Sequence, residues 1–340
     1  MAWITFQPKD NFNCTTYTGT GAANTITGVG FQPDFIWQKA RSQSQSHRAF
    51  DSVRGGTSLL YPDITNGEDT SDQFITSFNA DGFTMGTAGG NANDNGTTYV
   101  SWNWKAGTTS GLSGGTITPS SYSINATTGV GIYKYTGTGS NATIAHGLGV
   151  APKLVIVKRI DSSSQWSVYH YEVGEPKHLA LDEKIAEVTS SNYWNDTDPT
   201  SSVFSIGSGT DVNASGGTYI AYAFVEKPGF SKIGKYVGNN DSDGPFIFTG
   251  FKPGLLIQKA ISGTDQWQIR DAKRGFNGAI KTLYVDSTEG ETSGDTIDLL
   301  SNGFRIYNNS SAQNAAAGYA FWAFAEEPLV ASNKDVVTAG

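Results

Sequence analysis

The sequence carries one eleven-residue phrase twice, "GFQPDFIWQKA" at 30–40 and "GFKPGLLIQKA" at 250–260, with an altered version, "LGVAPKLVIVKR", at 148–159. An internal repeat constrains a fold more than composition does, because every copy must build the same unit. Taking Pro33, Pro152 and Pro253 as origins tests the register. An aromatic turn precedes each, at Tyr17, Tyr135 and Tyr236, by 16, 17 and 17 residues. Phe83, Phe204 and Phe304 follow at offsets of 50, 52 and 51, and Tyr99, Tyr219 and Tyr319 at 66, 67 and 66. Four landmarks agree to within two residues in three copies, so the chain is a triplet.

The copies cover 10–107, 128–228 and 229–328. A segment of nine residues precedes them and a tail, 329–340, follows. The stretch 108–127 is rich in Gly, Ser and Thr and lacks apolar periodicity, which reads as a linker. Copies two and three meet almost without a spacer, so they are expected to form the stiffer pair. Units of about 100 residues exceed solenoid repeats and reach the size of domains, so each is expected to bury a core of its own.

Each copy reads as β-structure. In the last segment Val100, Trp102 and Trp104 alternate with Tyr99, Ser101 and Asn103; Ile220, Tyr222 and Phe224 repeat the pattern, as do Ala320, Trp322 and Phe324. Period-two alternation of β-branched and aromatic residues marks a strand with one deeply buried face. The runs after each proline end in Lys39, Lys158 and Lys259, which fits buried strands whose ends emerge into solvent. Only "HLALDEKIAEV" at 178–188 suggests a short helix. Charged residues are 16% of the chain and Gly numbers 41, a turn-rich profile poor in helix formers. The expected fold is all-β: three tandem antiparallel β-sandwiches of jelly-roll or lectin-like type.

Charge and motifs exclude several functions. With 23 basic and 31 acidic side chains the net charge is −8, and no basic cluster exists to displace phosphate counterions. Nucleic acid is therefore not an expected partner. No apolar run is long enough to span a membrane, and the first residues lack the pattern of a signal peptide. Cys14, the one cysteine, reads as a packed thiol. The histidines, His47, His146, His170 and His178, lack metal-ligand spacing. "NNDSDG" at 239–244 imitates the start of a calcium loop, but Gly250 stands where the twelfth-position Glu belongs, so it reads as a turn. Asp51 and Arg54, repeated as Asp271 and Arg274, read as ion pairs bracing a loop. Neither catalytic residues nor a cofactor or metal site are expected. Trp3, Ile4 and Phe6 form an apolar leading segment that reads as an anchor. Tyr193 and Trp194 in "SNYWND" are the one candidate ligand-contact loop.

One further signal comes from the ordered array "PKDNF…YTGTG…GFQPDFIWQKA…H…DSVRG…DGFTMG…YVSWNWKAG". It resembles a repeat domain of virion structural and tail-fibre-like proteins of marine and environmental tailed bacteriophages. Phe31, Pro33, Trp37, Lys39, His47, Asp51, Arg54, Gly82, Phe83, Trp102 and Lys105 stand at the pattern's positions. Copies two and three follow it more loosely, and copy two lacks the Asp-x-x-Arg-Gly. The resemblance implies a non-enzymatic particle component, made in the host cytoplasm and exposed on the virion. It would be a tail appendage touching the host surface, or a capsid-decorating or head-fibre protein; a carbohydrate-binding module is the other alternative. The partners implied are other virion proteins, a host-surface glycan and further copies in a homo-oligomer.

Overall fold

In the first copy, strands Phe12–Thr18, Thr98–Trp104, Phe35–Ala40, Arg48–Asp51 and Gly55–Leu60 lie side by side in that order, all antiparallel. A small sheet of Asn24–Ile26, Gly82–Met85 and Ile75–Asn79 accompanies them. The computed structural model describes residues 5–70, 74–87, 92–275, 277–294 and 296–327. The chain is all-β with several antiparallel sheets. Among the described residues α-helix is confined to Ser191–Trp194 and Thr210–Asn213, and none is long and apolar enough to cross a membrane.

The strand order recurs. In the second copy Val130–Thr136 pairs with Thr218–Phe224, then Leu154–Arg159, Ser167–His170, Lys177–Ala180 and Val188–Thr189. In the third, Ser231–Val237 pairs with Gly318–Ala325, then Pro253–Ala260, Gln268–Asp271, Lys281–Tyr284 and Thr292–Ser293. The landmark glycines of the aromatic turns have a steric reason. A Cβ on Gly19, Gly137 or Gly238 would sit 2.3, 2.3 or 2.0 Å from the carbonyl oxygen of Asp94, Ala214 or Ala315 in the facing loop. Side chains cannot be accommodated there.

Two segments differ from expectation. The stretch 108–127 is not bare linker: Ser121–Asn125 adds a strand beside Val130–Thr136, and Ile117 is buried with the second copy's core. The stretch 178–188 forms no helix, because its run His178–Leu181 is buried and pairs through Leu179 and Ala180 with Val168 and Ser167. A local helical pattern loses to a ladder that buries every residue of the run.

The last strands are buried on both faces. Tyr219, Ala221 and Ala223, with their third-copy counterparts Tyr319, Phe321 and Ala323, face the core of their own copy. The other face, Val100, Trp102 and Trp104 with Ile220, Tyr222 and Phe224 and with Ala320, Trp322 and Phe324, belongs to one cluster drawn from all three copies. The large sheets thus pack against one another around a shared core. At its centre Trp104, Phe224 and Phe324 close a triangle, with ring centroids 6.1, 5.5 and 5.7 Å apart. They stand 71, 72 and 71 residues after the landmark prolines, so equivalent positions meet on a pseudo-threefold axis. Copies two and three are not a separate pair; each copy touches both others.

Candidate functional site

The shared core gives the molecule an axis, and the strand registers define its two ends. Phe35 lies opposite Trp104 and Ala40 opposite Tyr99, so strands run from the aromatic triangle to a loop end about 20 Å away, at ~3.3 Å per residue. Lys9 and Glu327 pair at 3.6 Å, which brings both ends of the described chain together on the triangle side. The chain also leaves copy one after Trp104, enters copy two at Val130, leaves it after Phe224 and enters copy three at Ser231 on that side. At the far end stand the loops 41–46, 160–165 and 261–266, with 61–69, 181–187 and 285–291.

These loops interlock by a rule used three times. The backbone N–H of Glu68 donates to Ile160 O, that of Glu187 to Ile261 O, and that of Glu291 to Arg41 O, each at 2.8 Å. One layer deeper, the indole of Trp166 donates to Tyr61 O at 2.9 Å and that of Trp267 to Ala180 O at 2.6 Å. In the first copy His47 stands at that position, and its Nε2 meets Tyr284 O at 2.9 Å. Its Nδ1 accepts from the Trp37 indole, so the proton lies on Nε2 and burial holds the ring neutral, well below its usual pKa.

Nearer the core the same cyclic order appears in the Asp-x-x-Arg pairs. Asp51 and Asp271 each bind their arginine's Nε at 2.6 Å with neither side chain exposed. Their Oδ1 atoms also accept backbone N–H groups of the turn. The other carboxylate oxygen accepts across an interface, from Tyr222 OH at 2.7 Å and from Trp102 Nε1 at 2.9 Å respectively. In the second copy His170 fills the aspartate's place: its Nδ1 accepts from Glu172 N and its Nε2 meets Phe321 O. The ion pairs brace a turn, as expected, and also weld one copy to the next.

Lys39, Lys158 and Lys259 do not emerge into solvent; all three are fully buried. Carbonyl oxygens cap them: Thr288 and Glu289 for Lys39, Thr65 and Ser164 for Lys158, Ala260 and Gly263 for Lys259. The sequence pattern misled because a long side chain at a strand end can turn inward once loop carbonyls satisfy its three donors. Burial lowers each ammonium to a pKa of about 8 and raises the nearby Asp63, Asp182 and Asp286 to about 6, 7 and 6.

A pH effect of defined sign follows. Between about 8 and 10.5 the unfolded chain holds lysine protons that the folded chain has lost, so stability rises with pH. Above 9 the buried Cys14 thiol, and above 10 the buried tyrosines, act in the opposite sense. Urea denaturation at pH 7.5 and 9 should therefore show a gain on the order of 3 kcal/mol from the three lysines together, and Lys158→Met should reduce it by about a third. A flat or falling midpoint would refute the buried ammonium groups.

The loop face itself is polar. Ser42, Gln43, Ser44, Ser162, Ser163, Ser262 and Thr264 are exposed on it. Between copies one and three an open cleft of about 660 Å³ is lined by Arg41, Gln43, Lys281, Glu291 and Ser293. Arg41 and Glu291 bridge it with two hydrogen bonds, at 2.9 and 3.0 Å. Each copy also pins its first loop with a buried asparagine. Asn93, Asn213 and Asn314 accept from Thr20, Thr138 and Asn239 N–H and donate to Ala22, Ser140 and Asp241 carbonyls. These asparagines stand 60, 61 and 61 residues after the landmark prolines, a fifth landmark that the aromatic pattern overshadowed.

The expected site residues do not assemble. Trp3 and Ile4 lie outside the described residues, as does the tail 329–340. Phe6 packs edge-on against Phe230 at 5.2 Å, on the triangle side. Trp194 is buried against Tyr169 and offers no open ring. Tyr193 is half-buried, stacked on His178, with its hydroxyl on Asp211 at 3.3 Å. In 239–244, Asp241 and Asn239 accept backbone N–H groups of their own turn, and no metal-binding cluster occurs among the described residues.

The fold and its loop face define an all-β chain built as a closed ring of three copies. The chain belongs to the family described as "Domain of unknown function (DUF7483)", which matches residues 7–328 and so spans the whole triplet. No curated protein and no solved structure matches the chain.

Proposed function

We propose that the chain is a structural protein of a bacteriophage particle, a tail-associated appendage that touches the host surface and carries out no chemistry. Each copy is read as a β-sandwich of jelly-roll or lectin-like type. The observation that carries the proposal is the polarity of the axis. Both ends of the described chain, and the points where the chain leaves one copy and enters the next, lie at one end, while the interlocked polar loops lie at the other. Such a molecule is tethered by one face and presents the other. The exposed hydroxyl and amide side chains of the loop face suit hydrogen bonding to the hydroxyls of a surface glycan.

An epitope inserted between Gln43 and Ser44, on the loop face, and one inserted between Ser110 and Gly111, on the tethered side, test the orientation. Antibody binding to intact particles is expected for the first and not for the second. Equal accessibility would remove the appendage reading. Labelling of heads in place of tails would make the protein a capsid decoration, and absence from purified particles would end the virion assignment.

A further inference from the structure

We infer that this chain is a trimer drawn as one polypeptide: its copies take the places of three subunits, and the full chain is a monomer in solution. The inference does not rest on the virion reading. It rests on the contacts between copies, which are one heterologous interface used three times. Copy one reaches copy three, copy two reaches copy one, and copy three reaches copy two. That order holds for the deeper layer, Nε2 of His47 and the indoles of Trp166 and Trp267 on Tyr284, Tyr61 and Ala180. It holds for the loop layer, Arg41, Ile160 and Ile261 receiving Glu291, Glu68 and Glu187. It holds again where the last strands of copies one, two and three meet Asp271, Asp51 and His170.

A heterologous interface either closes a ring or propagates a filament. Here the third use of the interface returns to the first copy, and the Trp104, Phe224 and Phe324 triangle fills the centre. Every lateral face is therefore occupied from within. The lateral face of one copy fits another copy of the same family, and among the described residues each such face is filled from within the chain. On this inference the threefold assembly that a homo-oligomer would build is already present within one chain. Further partners must meet the molecule at the two ends of its axis or on the outer small sheets.

A corollary is that connectivity is dispensable. The ring must hold whichever junction is cut, because its contacts, and not the peptide crossing, place the first copy. A protease recognition sequence between Ser110 and Gly111, both exposed, gives the test on the full chain. Light scattering of the uncut protein should give the mass of one chain, near 36.2 kDa. After cleavage the two fragments should still co-elute at that mass in native buffer, and should separate when Asp51→Ala and Asp271→Ala are combined. A circular permutant with the original ends joined by a Gly/Ser linker and new ends at Ser110 and Gly111 should match the parent's melting temperature to within a few degrees. Fragments that part in native buffer, a permutant that fails to fold, or an uncut protein with the mass of two or more whole chains would each overturn the inference.

Discussion

Asp271→Ala is expected to lower the unfolding free energy by about 3–5 kcal/mol, because it strands a buried guanidinium. Arg274 has no exposed side-chain surface, and beyond Asp271 its nearest carboxylate is Glu291 at 3.8 Å. The substitution also deprives Trp102 of its acceptor across the interface and frees two turn N–H groups. Asp51→Ala should cost less, since Glu68 still faces Arg54 at 3.0 Å. His170→Ala, which leaves no charge behind, should cost least, about 1–2 kcal/mol. Urea denaturation of the three variants gives the order directly. Equal losses would mean that the charge has access to water and that the pairs are not interface elements.

Trp104→Ala should be as damaging, by about 3–5 kcal/mol, through the cavity left in the shared core. The ring touches Phe12 and Phe35 of its own copy and Phe224 and Phe324 of the others. Because these rings share one cavity, Trp104→Ala and Phe224→Ala should combine to less than the sum of their separate costs. The coupling is the informative quantity: a double-mutant cycle that closes to zero would place the two rings in independent cores.

The repeat was fully legible in the sequence, since four landmarks recur in register and the strand order follows them. The strands around Trp37, Ile156 and Ile257 and the short strands after them could be placed from apolar runs alone. What those strands face was not legible. Alternation in "YVSWNW" marks Val100, Trp102 and Trp104 as buried but cannot say against what: a core private to the copy and the shared one leave the same pattern. A clue lay in copies two and three, where "YIAYAF" and "YAFWAF" leave no polar face and so require cover on both sides. The buried lysines were hidden for a related reason: their partners are backbone carbonyls, which have no sequence signature. His170 standing in for an aspartate was equally hidden, because the role is fixed by position in the ring and not by residue type. Trp194 is the opposite case, an aromatic residue in a polar loop that stands as a candidate ligand contact in the sequence while its ring turns into the core of the second copy.

Whether three copies share one core is the claim on which the rest depends, and scanning calorimetry of the full chain measures it most directly. A shared core makes the copies cooperative, so a single transition is expected, with the calorimetric enthalpy equal to the van't Hoff enthalpy. Asp271→Ala and Trp104→Ala should move that transition as a whole. Two or three separable transitions, with each substitution shifting one of them alone, would contradict the ring.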